Sequence, residues 1–227
     1  MFRLSINTGF AVNRYSEHEE WIRVISESGV SYAQLTADLI NPMLGDKIIN
    51  KQINEIKCAC EKYNVKISST FTGAFTRLNH LAHPDKDVQK YWIEWFKRFA
   101  DISKEVGSDN FGSHFGIFTT KDNNDEKLRK ERRQQNIENW HEIAKYAKEI
   151  GIKYISWEPM SIKREQAETQ EEARLLQIDV NKNAPIPFLI CLDVDHGDVT
   201  SKNKIDTDPY SWLENFAKDS LKEHRYS

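Results

Sequence analysis

Short apolar runs that end in small or polar residues alternate along this chain with longer segments of helical period. Residues 2–7 read as a first strand. Residues 17–28 read as a first helix, with Trp21, Ile22, Val24 and Ile25 on its inner side and Gly29 as its stop. A second strand follows at 32–36, a helix at 48–63 with Ile49, Ile53 and Ile56 at helical spacing, and a third strand at 65–71. Val88, Trp92, Trp95, Phe96, Phe99 and Ile102 trace one face of the next helix, and an aromatic stripe at this spacing is packing rather than a cofactor box. Asp85 is placed to cap that helix. Residues 110–116 form strand four with its polar exit, and a long charged helix runs over 124–150, closed by Gly151. Strand five is 154–159, a helix follows at 171–181, strand six is 188–193, and Pro209 opens a last helical piece carrying Trp212, Leu213 and Phe216.

The run Ile186-Pro187-Phe188-Leu189-Ile190-Cys191-Leu192 is too short for a helix and reads as a strand buried on both faces. It ends abruptly in Asp193-Val194-Asp195-His196-Gly197. Regular strand-then-helix alternation without a linker gives a parallel sheet with helices outside it. The expected fold class is therefore α/β, a TIM (β/α) barrel, with the whole of 1–227 as a single domain. A closed barrel needs eight such units and this chain shows six. Residues 221–227 contain no apolar run that could serve as a buried seventh strand, so the barrel is expected to be incomplete.

Composition narrows the function classes. Charged residues make up 30% of the 227 with a net charge of −3, which lacks the basic footprint of a nucleic-acid binder. No apolar run approaches the ~20 residues of a membrane span, and the N-terminus is too short and too quickly polar for a signal peptide. Cys58, Cys60 and Cys191 make an odd count without metal-knuckle spacing, which reads as reduced thiols in a cytoplasmic protein. The mixed-sign run 127–133 reads as a solvated helix face.

The chemistry-bearing residues gather at strand ends. His114 follows strand four, Glu158 strand five, and Asp193 with His196 strand six. In a parallel barrel these termini crowd one rim, so separation along the chain is no obstacle. Carboxylates with an imidazole suit one divalent metal ion, Mn²⁺, Mg²⁺, Co²⁺ or Zn²⁺. Each residue also has a plainer reading: a rim salt bridge or helix cap for Glu158, an N-cap or Asx-turn for Asp193, and a hydrogen-bonded core position for His114. For His196, an oriented histidine that binds no metal serves as well as a ligand. His80 and His83 lie in a polar loop that could line the rim, and His224 sits in a polar terminal context.

Trp157-Glu158-Pro159-Met160-Ser161-Ile162, Leu192-Asp193-Val194-Asp195-His196-Gly197 and Gly112-Ser113-His114-Phe115-Gly116 together resemble the xylose isomerase-like TIM-barrel proteins. These are sugar-phosphate isomerases and epimerases, with the endonuclease IV-type repair enzymes as distant relatives. Within the group the chain looks most like the tetrulose-phosphate (erythrulose phosphate) epimerase/isomerase branch. The resemblance implies Glu158 and Asp193 as ligands of one divalent metal, Glu158 also as the catalytic proton-transfer base, and His196 and His114 as substrate-binding residues. It implies an isomerase working by metal-assisted proton transfer beside a ketose carbonyl, on a small-molecule sugar phosphate, with neither nucleic acid nor membrane as partner. The family pattern also includes a histidine from strand seven and a glutamate from strand eight, which have no counterpart here. Because that glutamate is the second acid/base partner, the activity of the chain is expected to be impaired. The alternatives are a truncated, non-enzymatic barrel fragment, whose open strand edges would favour homo-oligomers, and an endonuclease IV-like phosphodiesterase.

Overall fold

A computed structural model describes residues 4–193, 197–198 and 200–220. Its strands are β1 (Ile6–Asn7), β2 (Tyr32–Thr36), β3 (Lys66–Phe71), β4 (Asn110–His114), β5 (Tyr154–Glu158) and β6 (Phe188–Ile190). Its helices are α1 (His18–Glu27), α2 (Asp46–Tyr63), α3 (Lys86–Glu105), α4 (Thr120–Asn124), α5 (Glu126–Glu149), α6 (Gln170–Asn181) and α7 (Pro209–Ser220). All strand pairs are parallel and run in chain order from β1 to β6, as the strand–helix alternation requires. The sheet is thus six units of an α/β barrel, an incomplete (β/α) barrel in the described residues.

Two apolar clusters hold the helices to the sheet. One joins Trp21, Ile22 and Ile25 of α1 and Ile49, Ile53 and Ile56 of α2 to Ala33, Leu35 and Ile67. The other carries the aromatic stripe of α3 onto α5 and β4: the Phe96 and Trp140 rings lie 4.7 Å apart, and Phe99 and Phe111 5.9 Å apart. The strands alternate by the period of two. Ile155 and Trp157 enter the helix-side core, with the Trp157 indole donating to Gln177 Oε1 at 2.8 Å, whereas Glu158 lines the cleft at the end of the sheet.

Several boundaries differ from the pattern reading. Residues 188–193 were expected as one strand, but β6 ends at Ile190. Cys191 N–H still donates to Trp157 O at 2.8 Å, and the next bond of a parallel ladder would come from Pro159, which has no N–H to give. Asp193 therefore sits on a loop. The helix expected over 124–150 breaks at Asp125, whose extended backbone lets its carboxylate cap Lys127 N and Leu128 N. The first strand, expected over 2–7, is Ile6–Asn7 among the described residues. It stops because Asn7 caps the following turn through Gly9 N.

The run 127–133 is a solvated face only in part. Lys127, Lys130 and Glu131 are exposed. Arg133 instead reaches Glu172 at 2.8 Å and Asp179 at 3.3 Å, and Arg129 and Arg132 lie 3.8 and 3.7 Å from the buried Glu168 and Asp122. Asp85 caps α3 as expected. Cys58 and Cys60 are free thiols on α2.

Gly112 lies where β3 and β5 close on β4. A β-carbon there would fall 2.2 Å from Ser156 Oγ and 2.4 Å from the Phe71 ring. Gly112→Ala is expected to lower unfolding stability by about 1–3 kcal/mol, the ordinary range for overpacking a close contact. Urea denaturation of the two proteins, compared by midpoint at equal slope, checks it.

Candidate active site

The carboxyl ends of the strands open onto a cleft of about 560 Å³, a volume suited to a small metabolite. Its wall passes from Asn7 through Gln34, Thr36 and Asp38 after β1 and β2, past Phe71 to Arg77, to His114, Glu158, Cys191 and Asp193. Three of the four residues picked out from sequence, His114, Glu158 and Asp193, share this one cleft. His196 lies outside the described residues. His80 and His83 are not part of the described lining; they pack edge-on to each other, and His80 also packs against Trp92.

The β4–β5 ladder sets His114 directly opposite Glu158. His114 Nε2 and Glu158 Oε2 meet at 2.7 Å, and the two residues are only 7% and 8% exposed. The backbone beneath them is clamped. Asn79 Nδ2 donates to His114 O at 3.0 Å, Asn136 Nδ2 and Trp140 Nε1 to Phe115 O at 2.9 and 2.7 Å, and Gln166 Nε2 to Gly116 O at 3.0 Å. Successive carbonyls that leave the sheet each receive a side-chain donor, so the imidazole is carried on a fixed base.

Burial pushes the Cys191 thiol up to about 12, and the negative charges of Glu158 and Asp193 push it in the same direction. Cys191, Glu158 and Asp193 line the same cleft. Two hard carboxylate oxygens beside an imidazole are the right kind of donors for a divalent cation. Among the described residues, no group of three His, Cys, Asp or Glu side chains forms a metal-sized cluster. The described donors fit a metal in kind but do not by themselves form a complete site.

Asn7, Gln34, Thr36, Asp38 and Arg77 were missed in the sequence. The signal that found His114 and Glu158, a polar residue just past an apolar strand, marks Thr36 and Asp38 as well. Asn7 Nδ2 donates to Gln34 Oε1 at 2.7 Å. Asp38 organises the loop after β3. Its Oδ1 accepts from Thr76 N at 2.9 Å and Thr76 Oγ1 at 2.7 Å, and its Oδ2 from Phe75 N at 3.1 Å. A β-carbon on Gly73 would fall 2.2 Å from Asp38 Oδ2, so the loop lies flush against that carboxylate.

Residues 22–208 match the model of the xylose isomerase-like TIM barrel family. The chain belongs to that family. It is 40% identical over 217 residues to the D-erythrulose 1-phosphate 3-epimerase of Brucella abortus (strain 2308), spanning 95% of this chain and 70% of that one. Among solved structures, a Rhodospirillum rubrum protein named after xylose isomerase superposes with a TM-score of 0.89 at 24% identity, covering 97% of this chain and 75% of that one. The D-psicose 3-epimerase of Clostridium cellulolyticum H10 superposes at 0.72 with 15% identity, over 96% and 71%. These two likenesses are of fold. As a member of the xylose isomerase-like family with a relative this similar, the chain is an isomerase-class enzyme. Among the described residues, no helix is long and apolar enough to cross a membrane.

Because one carboxylate holds the loop after β3, Asp38→Ala is expected to expose the Arg77–Leu78 bond. Trypsin should cut there at least about tenfold faster than in the unsubstituted protein, as loss of charge-assisted hydrogen bonds worth about 1.5–3 kcal/mol each predicts. Timed digestion with mass-spectrometric mapping reads this directly.

Proposed function

We propose that this chain is a sugar-phosphate epimerase, acting on a tetrulose phosphate by moving the proton on the carbon next to the ketose carbonyl. The observation that carries the reading is Glu158: a nearly buried carboxylate at the end of β5, facing the cleft and held by His114 at 2.7 Å. Its similarity to the D-erythrulose 1-phosphate 3-epimerase of Brucella abortus supports the substrate class. In such a ketose the carbonyl is C2, the proton on the neighbouring stereocentre C3 is acidified by it, and inversion at C3 begins with its removal.

Glu158 is the base that takes this proton. The bond to His114 fixes which carboxylate oxygen faces the substrate and keeps the carboxylate oriented as its charge changes. Thr36, Gln34 and Asn7 line the opposite side of the cleft and offer hydroxyl and amide groups to the sugar oxygens. The residues that would hold a divalent cation are Glu158 and Asp193. When bound there, the cation supplies Lewis-acid polarisation of the carbonyl and offsets the negative charge of the enediolate.

Proton exchange at C3 needs only one base, so it tests Glu158 apart from complete inversion. With Mn²⁺ and D-erythrulose 1-phosphate in D₂O, the protein is expected to wash deuterium into C3. Glu158→Gln should slow this by about 10²–10⁴, the usual contribution of a positioned base. Proton NMR of the substrate follows the exchange, and a rate untouched by the substitution removes Glu158 from the role.

A further inference from the structure

The cleft is short of positive charge. Asp38, Glu158 and Asp193 line it, and Arg77 is the one lysine or arginine in its described wall. A phosphate monoester is close to a dianion near neutral pH. Three carboxylates would repel it unless a cation in the wall receives it.

Arg77 is also half-buried, and no partner for its guanidinium is found among the described residues. The other inward-reaching arginines are engaged: Arg129, Arg132 and Arg133 with acids, Arg164 with Phe118 O, Arg174 with Asp219. A guanidinium that makes no ion pair among the described residues is open to a ligand in the cleft, and its planar fork matches two oxygens of a phosphate.

Its backbone is fixed in advance. Arg77 N–H donates to Gly73 O at 2.9 Å, and Gly73 N–H to Thr76 Oγ1 at 2.9 Å. Asp38 spends its carboxylate on Phe75 and Thr76. The acid that holds this loop is therefore occupied by backbone and hydroxyl donors, and the arginine is presented on a hydrogen-bonded turn.

We infer that Arg77 receives the phosphate group of the substrate at the mouth of the cleft. The assignment rests on the proposed function and deepens it, because it makes the phosphate a recognised group and places its receptor on the loop after β3. In a 1-phosphate the phosphorus is four bonds from C3. Arg77 would then act by binding and register: it fixes one end of a short ligand so that C3 meets Glu158.

The test is calorimetric titration of the Mn²⁺-loaded protein with D-erythrulose 1-phosphate and with D-erythrulose. The unsubstituted protein is expected to prefer the ester at least tenfold. Arg77→Ala should reduce that preference at least tenfold, and Arg77→Lys should keep part of it as a single point charge. A preference that survives Arg77→Ala within twofold overturns the assignment, as does an unsubstituted protein that binds both compounds equally. Circular-dichroism melts confirm that each variant is folded; should Arg77→Ala fail to fold, Arg77→Gln takes its place in the same comparison. Failure of the unsubstituted protein to bind either compound overturns the functional reading itself, and Arg77's role with it.

Discussion

The mouth of this sheet depends on the parallel register that sets His114 opposite Glu158. A slip of one residue between β4 and β5 would turn one of the two side chains out of the cleft, because neighbouring positions on a strand face opposite ways. The sequence prevents that slip from both faces. Outward, Phe111, Ile155 and Trp157 are fully buried against the helix layer. Inward, Gly112 is the residue that lets Phe71 and Ser156 approach across β4. The 2.7 Å contact between imidazole and carboxylate follows from how the apolar side of the sheet is packed.

Asp38 and Glu158 in the cleft each have their own hydrogen-bond partners. Asp38 is committed to the loop after β3 through three bonds. Glu158 is held by His114, and the high-lying Cys191 thiol registers the combined negative field of Glu158 and Asp193. Such a field is unfavourable to an anionic metabolite unless positive groups meet it. The divalent cation proposed at Glu158 and Asp193 and the phosphate contact proposed at Arg77 would both place positive charge in that field.

Much of this was legible in the chain. The α/β alternation, the parallel sheet, the cap at Asp85 and the aromatic stripe of α3 come from periodicities strong enough to read locally. His114, Glu158 and Asp193 were legible because polar residues interrupt apolar strands at their carboxyl ends. The breaks at Asp125 and after Ile190 were harder to see, since they turn on single backbone N–H groups: two captured by an aspartate in the first case, one missing from a proline on another strand in the second. Thr36 and Asp38 carried the same strand-end signal but were hidden by their own ordinariness. Arg77 had no signal at all, because the role proposed for it rests on its place in the cleft wall and on its lack of an ion-pair partner among the described residues, both properties of three dimensions.

The loop after β5 shows how the site is kept rigid. Gln166 and Ala167 adopt φ of 70° and 62°, a left-handed geometry that costs a non-glycine residue on the order of 1–3 kcal/mol, and Ala167 is fully enclosed. The strain persists because the turn is over-determined. Gln166 Nε2 holds Gly116 O, Arg164 and Phe118 exchange two bonds, and Glu168 O accepts from Asp198 N. The loop that leaves Glu158 is thereby tied to the one that leaves His114, and to the segment beyond β6. The base proposed at Glu158 would gain little from flexibility, since small displacements cost large factors in rate. The strained turn at Gln166 and Ala167 thus ties together the loops that follow the two residues whose relative position that chemistry could least allow to vary.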